Sequence, residues 1–427
     1  MSTITQAVGY GAVVSSLSEM PPVDQGDDRV GGMDESFGLP PLRVRDVVSP
    51  MGRLLRASLP GQAKARRERW ADTGSTAPSL RPKGMGSGSV DALAVQAVRL
   101  VSARSVAREL PLVLEEMREA LPLFRDRGWL TDPLTYHRTP TAPRVSTRPF
   151  EVLGAKWDRL VFDSGYEPFA GEPGRERYLD YGANRQATVR VLRHAEPAPW
   201  LVLLHGSYMG RTRMDVPVFD PVRLHKELGF NVVMPVLPLH GRRAAAKGGL
   251  LPSALPSLNA MDNLHGLAQA AWDVRRVVAW VRQQDDQPIT MYGVSLGGYV
   301  TSLTTALLQD APLHRVVAGV PAVDFPSVFS SQIPPRARQT AWYQEFIANT
   351  TELHRAISPL ALPPPATPSD RLHLYAARHD RVLRPLQQAA RLWQHWDRPE
   401  IAWFDGGHVL AARNKQVAEF VDRTLLS

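Results

Sequence analysis

Apolar positions along this chain follow two rhythms. From Lys156 onward, short apolar runs recur at Arg159–Phe162, Ala187–Leu192, Leu201–Leu204, Asn231–Leu237, 288–292, Arg315–Val323, 371–377 and 400–404. Each is bounded by turn-forming or charged residues, and such runs read as strands. Between them lie stretches with helical spacing. Leu264, Leu267, Ala271, Val274 and Val278 mark one face of a long helix ending near Arg282, with Asp262 as its expected N-cap. Further helices are predicted over 218–228 and 299–308. Strands alternating with helices predict an α/β domain over 151–427, with a mainly parallel sheet and helices on both faces. The first two runs should be antiparallel.

The other rhythm precedes this domain. Ala94, Val98 and Val101, then Val106, Leu110, Leu114, Met117 and Leu121, repeat at spacings of three and four and predict helix over Val90–Phe124, broken near Pro111 and Pro122. Proline-rich 130–150 reads as a linker laid on the surface. Together 90–150 form a helical extension packed on the domain. Residues 1–89 read as a low-order arm, because Pro21-Pro22, Gly31-Gly32, Pro40-Pro41 and Gly84–Ser89 interrupt any periodicity. Its basic stretch Met51–Trp70 has Pro60-Gly61 at its centre and reads as solvated rather than membrane-binding. Within the domain, 324–369 is too long for a plain connection. It predicts a small cap insertion over about 325–369, with Trp342, Tyr343 and Phe346 on its apolar underside.

Composition narrows this picture. Of the 427 residues 44% are hydrophobic and 22% charged, which suits a globular protein with a large core. The net charge of +8 is spread among acids, so no nucleic-acid partner is expected, although weak peripheral contact with an anionic membrane is compatible with it. There is no cysteine, which excludes a thiol nucleophile. No apolar run reaches membrane-spanning length and the N-terminus lacks a basic signal-type start, so a cytoplasmic protein is the expectation.

Chemistry concentrates at Gly293-Val-Ser295-Leu-Gly297, between a β-prone run and a helix. A serine at such a sharp turn needs glycine two positions to either side, where a Cβ would collide with neighbouring backbone. The turn lifts the Ser295 hydroxyl clear of the sheet and leaves the Leu296 N–H at a helix N-terminus, where it can stabilise an oxyanion. A serine needs a base, and the base an orienting acid. Asp380 follows the 371–377 run and His408 follows the 400–404 run behind Gly406-Gly407. Asp324 is the alternative acid, and Asp405 reads as a loop cap. The 201–204 run leads into His205-Gly-Ser-Tyr208, where Ser207 or Tyr208 would supply a second oxyanion donor and His205 would hold the loop.

These four motifs, in this order, resemble the α/β-hydrolase superfamily in its serine esterase and lipase-like branch, over about Lys156–Ser427. The resemblance implies an eight-stranded sheet, a catalytic triad of Ser295, Asp380 and His408, and hydrolysis of a carboxylic ester or thioester through an acyl-enzyme, without a cofactor. The expected partner is a small-molecule acyl ester. Alternatives are acyl transfer or peptide cleavage on the same fold, or a non-catalytic ligand-binding protein built on it. Arg242 and Arg243, after the Asn231–Leu237 strand, read either as a cationic wall for a substrate carboxylate or phosphate, or as salt bridges to the helical layer. No metal-ligand spacing is present.

Overall fold

A computed structural model describes residues 68–78, 82–244, 255–257, 259–333 and 337–427. The arm up to residue 67, with most of the basic stretch, and much of the loop after β5 therefore lie outside the described residues.

Among the described residues nine strands form one sheet: β1 (Ser146–Val152), β2 (Ala155–Asp163), β3 (Gln186–Leu192), β4 (Trp200–Leu204), β5 (Asn231–Pro235), β6 (Ile289–Val294), β7 (Arg315–Gly319), β8 (Leu372–Ala377) and β9 (Glu400–Phe404). Their spatial order is β1-β2-β3-β5-β4-β6-β7-β8-β9. Strands β1, β2 and β3 pair antiparallel and β3 lies antiparallel to β5, while β4 to β9 run parallel. β4, β5 and β6 are buried along their whole length, as expected of strands covered on both faces. This is the α/β-hydrolase arrangement with one strand beyond the eight expected. The additional strand is β1, which the prolines had marked as linker. An edge strand tolerates Pro149, since only one side of it joins the ladder. The tight Leu153-Gly154 turn, with φ of 53° and 70°, folds it back on β2.

The helices are α1 (Pro82–Asp126), α2 (Arg175–Leu179), α3 (Thr212–Phe219), α4 (Pro221–Lys226), α5 (Ala260–Arg282), α6 (Leu296–Ala306), α7 (Phe325–Gln332), α8 (Ala341–Leu353), α9 (Ala389–His395) and α10 (Lys415–Leu426). On one sheet face Leu110, Leu114, Met117 and Phe124 of α1 share a core with α5, α6 and α8. On the other, Phe219, Leu224, Phe420 and Leu425 from α3, α4 and α10 close a second core.

Several local expectations shift. The helix expected over 218–228 is two helices, because Asp220 turns left-handed (φ 47°) ahead of Pro221. Asn259, not Asp262, caps α5; its side chain accepts from the Asp262 N–H, which leaves the Asp262 carboxylate to pair with Arg177. α1 runs unbroken through Pro111 and Pro122, both on its exposed side, where water can satisfy the carbonyls that proline leaves bare.

α1 also begins at Pro82, ahead of Val90, so the end of the expected arm is ordered. Trp70 is buried edge-on against Trp403, with ring centroids 5.2 Å apart. Gly88 lets the α1 backbone lie against the loop after β8, where a Cβ would stand 3.3 Å from the His379 carbonyl. Of the glycines that suggested loop, Gly88 serves this close approach, while Gly86 faces open space. The 324–369 insertion forms α7 and α8 and packs sideways on α1, tied by Arg118–Glu345 and Arg125–Glu352 ion pairs at 2.5 and 2.6 Å. Trp342, Tyr343 and Phe346 are buried in the shared core.

Candidate active site

Strand β6 runs between β4 and β7 and delivers Ser295 at its C-terminal end, where α6 starts one residue later. Ser295 has φ 60° and ψ −115°, a conformation that costs a non-glycine residue on the order of 1–3 kcal/mol. Backbone bonds hold it there. Its N–H donates to the Gly319 carbonyl (2.9 Å), and its carbonyl accepts from the N–H groups of Tyr299 (3.1 Å) and Ala322 (3.2 Å). A Cβ on Gly293 would strike the Gly297 carbonyl, and one on Gly297 would strike the Leu204 carbonyl. Both flanking glycines are thus steric necessities.

The loops after β8 and β9 bring Asp380 and His408 to this serine. His408 Nε2 lies 3.0 Å from Ser295 Oγ, and His408 Nδ1 lies 2.7 Å from Asp380 Oδ2. The other Asp380 oxygen accepts from the N–H groups of Val382 (2.9 Å) and Leu383 (2.8 Å), so the carboxylate cannot rotate freely. With a carboxylate as acceptor, Nδ1 carries the proton and Nε2 is left to accept one from the serine. Burial alone would lower the His408 pKa. Asp380 and, more weakly, Asp91 outweigh it and hold the imidazole above its ordinary value of 6.5.

Asp324 is engaged elsewhere. It caps α7 through the Ser327 N–H (3.0 Å) and pairs with Arg391, and His408 is not among its hydrogen-bond partners. Asp405 faces Arg378 at 3.4 Å.

The loop after β4 borders the serine from the opposite side. A Cβ on Gly206 would sit 3.5 Å from the Ser295 Cβ, so the backbone leading into Ser207 and Tyr208 passes beside Ser295. Both residues are half-buried, and Tyr208 has a positive φ of 63°. His205 fixes this loop. Its Nε2 accepts from the Leu237 N–H (3.0 Å), so Nδ1 donates to the Gly206 carbonyl (2.8 Å). Burial lowers its pKa, in keeping with a neutral structural ring.

The two arginines after β5 separate. Arg243 is fully buried, bonded to the Val236 and Asn184 carbonyls and ion-paired with Asp273 of α5 at 2.8 Å. The substrate-contact reading of Arg243 is therefore corrected: its guanidinium is occupied by the helical layer. Arg242 is exposed. Among the described residues no group of His, Asp or Glu is arranged to hold a metal ion, and no helix is long and apolar enough to cross a membrane.

One residue at the site escaped the sequence reading. Asp91, in α1, is fully buried between the loops that carry Asp380 and His408. It stands in a Gly/Ser-rich stretch far from every motif, and only its being a lone acid before a helical apolar repeat could have drawn notice.

The model of an uncharacterised protein family, UPF0227, matches residues 257–422. The chain is 38% identical over 347 residues to the uncharacterized protein MT2702 of Mycobacterium tuberculosis (strain CDC 1551 / Oshkosh), spanning 78% of this chain and 82% of that protein. It is 37% identical over 347 residues, with the same two coverages, to the uncharacterized protein Rv2627c of Mycobacterium tuberculosis (strain ATCC 25618 / H37Rv). Among solved structures, acetyl xylan esterase 1 from Thermoanaerobacterium sp. JW/SL YS485 has 15% identity and a TM-score of 0.44, covering 70% of this chain and 92% of that one.

Proposed function

We propose that this chain, which belongs to the family of the two mycobacterial proteins, is a serine hydrolase that cleaves a carboxylic ester or thioester through an acyl-enzyme. The observation that carries the reading is the continuous relay Ser295 Oγ–His408 Nε2–His408 Nδ1–Asp380 at 3.0 and 2.7 Å, with the serine held in a strained turn. Ser295 Oγ attacks the acyl carbonyl while His408 Nε2 takes its proton. The N–H of Leu296 and that of Ser207 or Tyr208 receive the oxyanion. Collapse of the tetrahedral intermediate breaks the bond to the leaving group, which departs with the proton from His408. Water, deprotonated by the same imidazole, then attacks the acyl-enzyme and releases the acid and Ser295. Asp380 keeps Nδ1 protonated and stabilises the imidazolium. No cofactor enters these steps. Arg242, exposed after β5, is assigned to an anionic substituent of the substrate.

Acyl transfer differs only in the nucleophile of the second half-reaction. A ligand-binding protein would have no use for an aligned base. A fluorophosphonate probe should label the wild-type protein at Ser295 and leave Ser295→Ala unlabelled. p-Nitrophenyl esters of increasing chain length then define the acyl preference. An unlabelled wild-type protein with no esterase activity would refute the reading.

A further inference from the structure

Most of the catalytic apparatus comes from loops at one end of the sheet, and such loops are mobile unless something ties them. His408 stands behind Gly406-Gly407, a pair with little stiffness of its own. Within the domain the His379 N–H donates to the Gly406 carbonyl (3.0 Å), two residues short of the imidazole, and a further tie, at His408 itself, comes from outside the α/β domain. Asp91 Oδ2 accepts from the N–H of His408 (2.7 Å) and from the N–H of Arg381 (3.2 Å), while Oδ1 accepts from the N–H of Val409 (3.0 Å). One oxygen atom therefore joins the loop of the acid to the loop of the base.

Its surroundings are shaped to admit it. A Cβ on Gly407 would come within 2.8 Å of both Asp91 oxygens and 2.7 Å of the Ser87 carbonyl, so only glycine lets α1 lie this close. A Cβ on Gly88 would stand 3.1 Å from Arg381 Nε. The carboxylate is fully buried, and its hydrogen-bond partners are three backbone N–H groups rather than a side-chain cation. Burial and the like charge of Asp380 beside it raise the Asp91 pKa, while the imidazolium of His408, once it forms, and the backbone N–H groups of His408 and Val409 favour the carboxylate. A buried acid in such company is an expensive way to pack a helix, which argues for a role in the site.

We propose that Asp91 is a positioning residue, which pins the Asp380 and His408 loops in reacting register, so that the N-terminal helix is an integral part of the catalytic apparatus rather than an appendage. The inference rests on the serine-hydrolase reading above. Asp91 touches neither the serine nor the acyl group. It acts by fixing where the imidazole stands, and its charge adds to that of Asp380 in favouring the imidazolium.

The test follows the rate of Ser295 labelling by a fluorophosphonate against pH in the full chain, for wild type, Ser295→Ala and Asp91→Asn, with thermal melting alongside. Wild-type labelling that is lost in Ser295→Ala establishes the underlying reading; its absence would sink that reading and this proposal with it, whereas the Asp91 variants test this proposal alone. Given labelling, Asp91→Asn should remain folded and react at least tenfold more slowly, and the acid limb of its rate profile should move to lower pH because a negative charge beside His408 is gone. A folded variant within twofold of wild type, or a slowdown with an unmoved limb, would overturn the proposal and leave Asp91 an ordinary cap. Should Asp91→Asn not fold, Asp91→Glu decides. It keeps the charge but misplaces it by one methylene, so a folded, slowed protein with an unmoved limb supports the pin, while a wild-type rate or an unfolded protein refutes it.

Discussion

Replacing Asp380 with asparagine tests the relay at its most constrained point. The two carboxylate oxygens have different tasks: Oδ1 takes the N–H groups of Val382 and Leu383, and Oδ2 takes His408 Nδ1–H. An amide can serve only one side. With its oxygen kept on the two backbone donors, its NH2 faces His408 Nδ1, which must then accept. The ring proton moves to Nε2, and the base facing Ser295 is lost. The opposite amide orientation preserves the tautomer but turns NH2 toward two N–H groups, that of buried Leu383 and that of half-buried Val382. At about 1–3 kcal/mol for each donor left unsatisfied, that orientation is disfavoured by roughly 2–6 kcal/mol. The productive arrangement is thus a minor one, and kcat/KM should fall by roughly 30-fold to 20,000-fold, at about 1.4 kcal/mol per decade. Steady-state hydrolysis of a p-nitrophenyl ester measures this directly, with Asp324→Asn as the control. Asparagine at 324 can still cap α7, so activity there should stay within about twofold. A variant Asp380→Asn that keeps more than about a few per cent of wild-type activity, or an Asp324→Asn variant that loses it, would refute the assignment of the acid.

The pH dependence of catalysis should carry the mark of the raised His408. In the proposed mechanism only its neutral form takes the serine proton, so kcat/KM should decline as pH falls, with a midpoint above 6.5, and a midpoint below that value would contradict the charge balance described here. Stability should fall on the acid side for a separate reason. Burial, more than any other cause, pushes His137 and His240 down to about 3 and His354 to about 4, so below 6.5 the unfolded chain takes up protons that the folded one refuses. Stability rises with pH wherever the unfolded state binds more protons, and urea midpoints should therefore drop between about pH 7.5 and pH 5. A chain beginning at residue 68 should melt well above one beginning at residue 92, which lacks Trp70, the Ser75 bond to Arg378 and Asp91. Trp70→Ala alone should cost about 3–5 kcal/mol, and equal melting points for the two truncated chains would show that this segment contributes nothing.

What the sequence determined by itself was whatever its physics keeps local. Apolar runs bounded by turn formers were enough to place β2 through β9, most plainly β4 through β8, because a strand buried on both faces has few alternatives to an unbroken apolar string. The glycines around Ser295 were legible because the turn itself demands one of them, the Gly293 Cβ colliding with the Gly297 carbonyl, although the clash Gly297 avoids is with Leu204 of the neighbouring strand. Serine, aspartate and histidine could be put forward because each follows its own strand. That the three side chains stand within hydrogen-bond reach is a matter of the assembled sheet.

Tertiary structure decided everything that depended on distant partners. Nothing near Arg243 in sequence reveals that Asp273 of α5 waits for it, and nothing near Asp324 reveals Arg391. β1 exists because β2 offers it an edge, against the warning of Pro149, and α1 passes two prolines because its opposite face is buried. The clearest case is Asp91. It lies 290 positions from Arg381 and 317 from His408, yet its backbone contacts with both are set by the way α1 docks across the ends of β8 and β9. Local pattern encodes the sterics of a residue and its neighbours, whereas the pairing of a buried charge is fixed only when the folded chain brings its partner to it.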